Sequence, residues 1–204
     1  MKIEGARLLL VTDPRPDLVE RVEAAVRGGV DIVQLRDKDS PRDELIPLAE
    51  ELKGACARAG ARFTVNDDVE LARLVGADGV HLGEDDATTP HARGVLGPDV
   101  LVGRSAGGVA EALEAVRGGA DYLGVGAVFA TPTKPDGGVA GLALIRALAR
   151  EGLPVPWFAI GGVTLETATS VAAAGAPGFA VVRAVLDAED PGAAARELRR
   201  RLEI

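Results

Sequence analysis

Short apolar runs of about four to six residues alternate along the chain with longer runs whose apolar residues recur at helical spacing. Between Leu18 and Arg27, for example, Leu18, Val22, Ala25 and Val26 fall on one helical face. The short runs predict eight strands, at Arg7–Thr12, Ile32–Leu35, Arg62–Val65, Gly79–Leu82, Leu101–Gly103, Tyr122–Val125, Trp157–Ile160 and Gly178–Val182.

The longer runs predict the helices that connect these strands. They are Leu18–Arg27, Arg42–Ala59, Val69–Val75, Gly108–Arg117, Leu142–Arg150, Leu165–Ala174 and Gly192–Leu202, with only a weak helical pattern in His91–Leu96. Continuous apolar strands joined by helices indicate a parallel sheet that is covered on its outer face. Eight such units in 204 residues favour a closed barrel over an open doubly wound sheet. The sequence therefore predicts an α/β fold, a single-domain (β/α)₈ TIM barrel over residues 1–204.

A short fragment recurs where a predicted helix gives way to a strand. Gly29-Val30-Asp31, Gly76-Ala77-Asp78 and Gly119-Ala120-Asp121 share one form, and Gly175-Ala176-Pro177 is a degenerate fourth copy. Because each glycine follows a helix, we expect it to be a left-handed C-cap. The fragment is thus interpreted as a turn at the bottom of the barrel, and its aspartates are given no catalytic role.

Composition narrows the classes of function. Apolar residues make up 47% of the chain, which is enough for a large core, and the net charge of −8 comes without the basic stripe of a nucleic-acid-binding protein. No apolar run approaches the ~20 residues of a membrane span, and no secretory signal is seen at the N-terminus. We expect a soluble cytoplasmic protein, in which the lone Cys56 is a small core residue.

Polar residues gather after the predicted strands. In a barrel these positions form one rim, where active sites are built. They are Asp13; Gln34, Arg36 and Lys38; Asn66, Asp67 and Asp68; Glu84, Asp85 and Asp86; Arg104 and Ser105; Thr131, Thr133 and Lys134; Gly161 and Gly162; and Arg183.

This set of residues suits phosphorylated ligands. The acidic groups can hold a divalent cation such as Mg²⁺, which takes carboxylate oxygens and commonly shares them with substrate phosphates. Arg36, Lys38 and Lys134 can neutralise phosphate oxygens, and the Gly161-Gly162 pair exposes backbone N–H groups after strand seven. Simpler interpretations stay open for single elements: the segment 66–68 can cap a helix, and His81, inside a strand, can be a structural hydrogen-bonded residue.

At these positions the sequence resembles the thiamine-phosphate synthase family. The motifs that carry the resemblance run in family order from residue 11 to about residue 185: Val11-Thr12-Asp13, Val33-Gln34-Leu35-Arg36-Asp37-Lys38, Val65-Asn66-Asp67, Ala77-Asp78-Gly79-Val80-His81-Leu82-Gly83 with Asp86, Asp121-Tyr122-Leu123-Gly124-Val125-Gly126, Thr131-Pro132-Thr133-Lys134 and Ala159-Ile160-Gly161-Gly162-Val163.

The resemblance implies a role for each matched residue. A hydroxymethylpyrimidine diphosphate would be held by Gln34, Arg36, Lys38, Asn66, Ser105 and Lys134, of which Arg36, Lys38, Ser105 and Lys134 are the candidate catalytic residues. Mg²⁺ would be bound by Asp67 and Asp86, and a thiazole phosphate by Thr131, Thr133, Gly162, Val182 and Arg183. In the family, diphosphate leaves first, and the thiazole nitrogen traps a pyrimidine-stabilised cation.

Three positions depart from the family pattern. Gly107 stands where a histidine usually follows the strand-five serine, Glu84 where a glutamine is usual, and Arg183 where a serine is usual. Two alternative functions remain at this point: a thiazole tautomerase of the same superfamily, and a barrel that binds thiamine precursors without turnover. The absence of the strand-five histidine counts against the tautomerase. The expected partners are small molecules, and a homo-oligomer stays open.

Overall fold

A computed structural model gives the arrangement of residues 3–131 and 138–203. Its strands form a closed barrel in which each strand is parallel to its neighbours, and β8 pairs with β1. The strands are β1 Leu8–Val11, β2 Ile32–Leu35, β3 Arg62–Asn66, β4 Gly79–Leu82, β5 Leu101–Ala106, β6 Tyr122–Val125, β7 Trp157–Ile160 and β8 Phe179–Val181. The predicted TIM barrel is therefore confirmed, with every strand in its predicted order.

The helices surround the barrel. They are α1 Leu18–Arg27, α2 Arg42–Ala59, α3 Val69–Val75, α4 Thr89–Leu96, α5 Val109–Arg117, α6 Gly141–Glu151, α7 Ala168–Ala173, α8 Arg183–Leu186 and α9 Pro191–Arg200. Within residues 3–131 and 138–203, one helix follows each of the first seven strands, and two follow β8. In the part of the chain described, no helix is long and apolar enough to cross a membrane.

Side-chain alternation along the strands divides the core into two layers. In β1, Leu8 and Leu10 pack outward against the helices, whereas Leu9 and Val11 face the inside of the barrel. The outer layer also holds Cys56, where burial raises the pKa of the thiol to about 12. This agrees with its interpretation as an unreactive core residue.

The repeated Gly-small-Asp fragments lie at the amino-terminal end of the barrel, as predicted. The Oδ2 atoms of Asp31, Asp78 and Asp121 each accept a backbone N–H from the preceding strand, at 2.7–2.9 Å, from Leu8, Phe63 and Val102 respectively. All four glycines of the fragments have positive φ, at Gly29, Gly76, Gly119 and Gly175. Because the repeat ties odd-numbered strands to even-numbered ones far from the rim, its role is structural.

Two helices differ from the sequence prediction. α4 is a regular helix, since Thr88 caps it by accepting the His91 N–H (3.3 Å) and Pro90 occupies its first turn, where proline is tolerated. The four-residue α8 was not predicted, because so short a segment carries no apolar periodicity. It begins at Arg183, so the residue that was predicted only to follow β8 opens a helix.

Candidate active site

A cavity of about 380 Å³ opens at the carboxyl ends of the strands. Its walls come from all eight strands and from the segments that follow β2, β6, β7 and β8. The lining residues are Val11, Gln34, Arg36, Asn66, His81, Ser105, Gly124, Gly126, Ala127, Ala130, Thr131, Ile160, Gly161, Gly162, Val163, Thr164, Ala180, Val181, Val182, Arg183 and Ala184. Eight of the residues that the sequence placed at the rim are in this set: Gln34, Arg36, Asn66, Ser105, Thr131, Gly161, Gly162 and Arg183.

A charged corner adjoins the cavity. Lys38 Nζ lies 3.2 Å from Asp67 Oδ2, and the Asp67 and Asp86 carboxyl groups form a hydrogen bond with each other. Burial raises the pKa of Asp67, the hydrogen bond with Asp86 raises it further, and Lys38 opposes both effects. Burial also acts to raise the pKa of Asp86, but its hydrogen bonds with Asp67 and with the Gly83 N–H (2.7 Å) outweigh that effect and lower it. The two carboxyl groups therefore lie in contact beside Lys38, and a cation bound between them would offset their mutual repulsion.

Asp67 is held in an unusual backbone conformation. Its φ of 63° is in the left-handed region, and among the described residues it alone does so without being glycine. Aspartate is one of the few residue types that tolerate this conformation, which recurs at functional sites. The Asp67 N–H donates to the His81 carbonyl (2.8 Å), so the strained residue is anchored to β4.

The corner suits a hard divalent cation that is shared with substrate. Asp67 and Asp86 supply carboxylate oxygens, and no group of three or more His, Cys, Asp or Glu side chains among the described residues forms a self-sufficient metal cage. Mg²⁺ is commonly held in this way, by one or two carboxylates together with phosphate oxygens and water.

The inner wall of the cavity is polar. Gln34, Asn66, His81 and Ser105 face inward from four successive strands, and His81 Nε2 lies 3.1 Å from Ser105 Oγ. A side chain at Gly124 would come within 3.3 Å of the His81 ring, so the glycine keeps this side of the cavity open. His81 was assigned only a structural role from the sequence. Its alternation with the outward-facing Val80 and Leu82, two positions before the loop that carries Asp86, was the signal for an inward position.

The opposite side is built from backbone. Gly161 and Gly162 have φ values of 95° and 65°, and a Cβ on either would lie 2.6 Å from a side-chain carbon of the loop after β6. The loop after β6 runs alongside the end of β7 and is hydrogen-bonded to it. The Val128 and Phe129 N–H groups donate to the carbonyls of Ile160 and Gly161 (2.9 Å each). Only glycine fits here, and the close approach brings Thr131 to the cavity.

Arg183 lies at the same end of the cavity. It is exposed, it lines the cavity from the first position of α8, and none of the described residues forms a hydrogen bond or an ion pair with its side chain. Val182, just before it, also lines the cavity. Thr133 and Lys134, the two remaining residues predicted for the site, lie outside the described residues.

Some rim residues have structural roles instead. Asp13 pairs with Arg15 at 2.6 Å, and Arg104 donates to the Ala87 carbonyl at 2.9 Å. Asp68 caps α3 by accepting the Leu71 N–H at 2.9 Å. The capping interpretation of the segment 66–68 is thus correct for Asp68, while Asn66 lines the cavity and Asp67 lies beside Lys38.

Comparison with known proteins gives one consistent result. Residues 8–185 match the family described as thiamine monophosphate synthase. A thiamine-phosphate synthase of Gloeobacter violaceus is 49% identical over 191 residues, which cover 94% of this chain and 56% of the relative. One of Thermobifida fusca is 48% identical, over 98% of this chain and 94% of the relative. The chain therefore spans little more than half the length of the first of these relatives and nearly all of the second.

Solved structures agree with the sequence relatives. A thiamine phosphate pyrophosphorylase from Pyrococcus furiosus superposes with a TM-score of 0.88 at 38% identity, covering 98% of this chain and 96% of that one. A 3-hexulose-6-phosphate synthase superposes with a TM-score of 0.71 at 22% identity, which reflects the shared barrel fold alone.

Proposed function

The chain belongs to the thiamine monophosphate synthase family, and we propose that it joins a hydroxymethylpyrimidine diphosphate to a hydroxyethylthiazole phosphate, giving thiamine phosphate and diphosphate. The observation that supports the proposal is that one cavity has two different polar ends. Asp67, Asp86 and Lys38 adjoin one end, and the Gly161-Gly162 turn with Arg183 lines the other. A metal-bound diphosphate suits the first, and a phosphate ester suits the second.

The proposed reaction needs charge neutralisation and alignment more than a nucleophile. The C–O bond between the pyrimidine methylene and the diphosphate breaks, and its electron pair leaves with the diphosphate. The thiazole ring nitrogen then donates its lone pair to the pyrimidine-stabilised cation and forms the C–N bond. The protein contributes by binding the leaving group and by holding the two rings in line.

Cationic side chains act on the leaving diphosphate in this proposal. Arg36 lines the cavity, and Lys38 lies beside Asp67 at its edge. Lys134 is proposed for the same role on the resemblance of its motif. A charge-assisted hydrogen bond of this kind contributes about 1.5–3 kcal/mol. Ser105, oriented by His81, is proposed to complete this catalytic set.

The remaining contacts follow from the two sides of the cavity. We assign the pyrimidine diphosphate to Gln34 and Asn66 in addition to the catalytic set. The thiazole phosphate is assigned to Thr131, Thr133, Gly162, Val182 and Arg183. The acidic charge of −8 supports small-molecule substrates over nucleic acid, and we propose that the enzyme works in the cytoplasm.

We propose that the divalent cation is Mg²⁺, held by Asp67 and Asp86. When bound, it would offset the negative charge on the departing diphosphate. The contact between the two carboxyl groups supports this assignment, because it brings carboxylate oxygens from two loops to one place.

Substitution of the two aspartates tests the proposal. Asp67→Asn and Asp86→Asn should each nearly abolish diphosphate release, measured with both substrates across an Mg²⁺ titration. Asparagine is chosen because, like aspartate, it tolerates the left-handed backbone of residue 67, so that only the charge is removed. Asp85→Asn, at an exposed position beside Asp86, is the matched control and should behave as the wild type.

The same assay distinguishes the proposed synthase from a thiazole tautomerase and from a protein that only binds thiamine precursors. Wild-type rates in Asp67→Asn or Asp86→Asn would remove the metal assignment. Isomerisation of a thiazole without diphosphate release would indicate a tautomerase, and binding of both compounds without turnover would indicate a binding protein.

A further inference from the structure

Thr12 forms the last link between β1 and β2. It is buried, with 1% of its surface exposed. Its N–H donates to the Gln34 carbonyl at 2.9 Å, and its Oγ1 accepts the Arg36 N–H at 2.9 Å. In a regular pair of parallel strands, the Arg36 N–H would donate to the backbone carbonyl of Thr12. Here the hydroxyl of Thr12 takes the place of that carbonyl.

This hydrogen bond fixes the point at which the chain leaves β2. Arg36 is the first residue after the strand, and its side chain lines the cavity. Two residues later, Lys38 reaches Asp67. The loop is held again at Asp37, whose Oδ1 accepts the N–H groups of Asp39 and Ser40 at 3.0 Å. The path of the two cationic side chains is therefore set by Thr12 on one side and by Asp37 on the other.

We propose that Thr12 is a positioning residue for diphosphate binding, acting through the backbone of Arg36. Thr12 is not among the residues that line the cavity, so it does not touch the substrate itself. The inference rests on the proposed function, because it takes Arg36 and Lys38 to bind the diphosphate of the pyrimidine substrate. It adds a residue whose hydroxyl, and not merely its volume, is required.

Thr12→Val removes the hydrogen-bond acceptor while nearly preserving the size of the side chain. The KM for the pyrimidine diphosphate should rise about five-fold or more, as expected for the loss of one hydrogen bond. Inhibition by inorganic diphosphate should weaken by a similar factor, while the KM for the thiazole phosphate stays unchanged. Thr12→Ser, which keeps the hydroxyl, should restore both values.

Thr64→Val is the matched control. Thr64 is also fully buried, and its hydroxyl bonds to a carbonyl of the same strand β2, that of Val33 at 3.3 Å, but farther from the rim. We expect Thr64→Val to lower the melting temperature without a selective change in either KM. Thr12→Ala removes the same acceptor and gives the same comparison if Thr12→Val does not fold.

A double substitution separates this inference from the proposed function. If Arg36→Ala raises the KM for the pyrimidine diphosphate and Thr12→Val adds little in that background, both are supported. If Arg36→Ala impairs binding but Thr12→Val and Thr12→Ala do not, Thr12 has no positioning role. An unchanged KM in Arg36→Ala would instead remove Arg36 from the proposed site. Equal rises in both KM values, or failure of Thr12→Ser to restore them, would also overturn the inference.

Discussion

Arg183 places a permanent positive charge at the edge of the cavity, where the resembling family has a small hydroxyl. It begins α8, and none of the described carboxylates pairs with it. A guanidinium can bind a phosphate through two parallel hydrogen bonds, which a serine cannot. We expect this side chain to turn toward the thiazole phosphate in an otherwise acidic protein.

Arg183→Ser therefore should raise the KM for the thiazole phosphate several-fold, with little change for the pyrimidine diphosphate. The effect is smaller than for a buried pair, because the arginine is exposed and solvent screens its charge. Steady-state kinetics with each substrate varied in turn measure it. A thiazole phosphate KM that stays the same or falls would show that Arg183 is only a surface charge.

At the scale of single residues, the sequence predicted the positions of site residues whose side-chain type indicates their chemistry. Gln34, Arg36, Asn66 and Ser105 were expected on one rim, and they line one cavity. The role of Thr12 could not be predicted in this way, because it depends on which backbone N–H its hydroxyl meets across two strands. The contact between the carboxyl groups of Asp67 and Asp86 likewise depends on their positions in space, which spacing along the chain does not give.

At the scale of elements, the repeated aspartates link pairs of strands. Each accepts a backbone N–H of the preceding strand, and we call this hydrogen-bonded link the aspartate clamp. Asp121 Oδ2 accepts the Val102 N–H at 2.7 Å and also meets the guanidinium of Arg93 at 2.8 Å. The clamp joins the start of β6 to that of β5 at the end of the barrel opposite the cavity. It should therefore contribute to stability and not to catalysis.

Asp121→Ala should lower the free energy of unfolding by about 1–3 kcal/mol, because it leaves the Val102 N–H without this acceptor and removes the carboxylate partner of Arg93. In a protein of this size that is a drop in melting temperature of roughly 2–4 °C for each kcal/mol. Thermal unfolding and kcat/KM are measured together, with Glu114→Ala on the exposed face of α5 as the control. Loss of kcat/KM at a temperature where the variant is fully folded would contradict a purely structural role.

Helices and strands could be predicted where the local sequence pattern agrees with the burial that the fold imposes. The eight strands are short runs of mainly apolar residues, because both faces of a barrel strand are buried over most of its length, and these runs identify them. α8 was not predicted, because its four residues are ordered by packing against neighbours and not by a periodic pattern of their own. The sequence pattern of α4 is only a weak signal for a helix, because few of its residues are apolar and buried and because its start depends on the cap at Thr88.

At the scale of the whole molecule, the acidic protein must bind two anionic substrates. The net charge of −8 opposes a free diphosphate, and the carboxyl groups of Asp67 and Asp86 add to this opposition locally. A divalent cation between the carboxylates and the diphosphate would attract both groups and so offset the repulsion between them. Binding of cation and of diphosphate should therefore be mutually reinforcing, because the coupling between two ligands is reciprocal.

The melting temperature reports this coupling without turnover. Mg²⁺ alone and inorganic diphosphate alone should each shift it little, whereas both together, at about 100 times the dissociation constant, should stabilise the fold by roughly 2.7 kcal/mol. That corresponds to an increase of roughly 5–10 °C at this chain length. Asp67→Asn should remove the joint effect, and Asp85→Asn should keep it, with ionic strength matched throughout. If the shifts with Mg²⁺ and with diphosphate merely add, or if the joint shift survives in Asp67→Asn, the two ligands do not meet at this corner of the barrel.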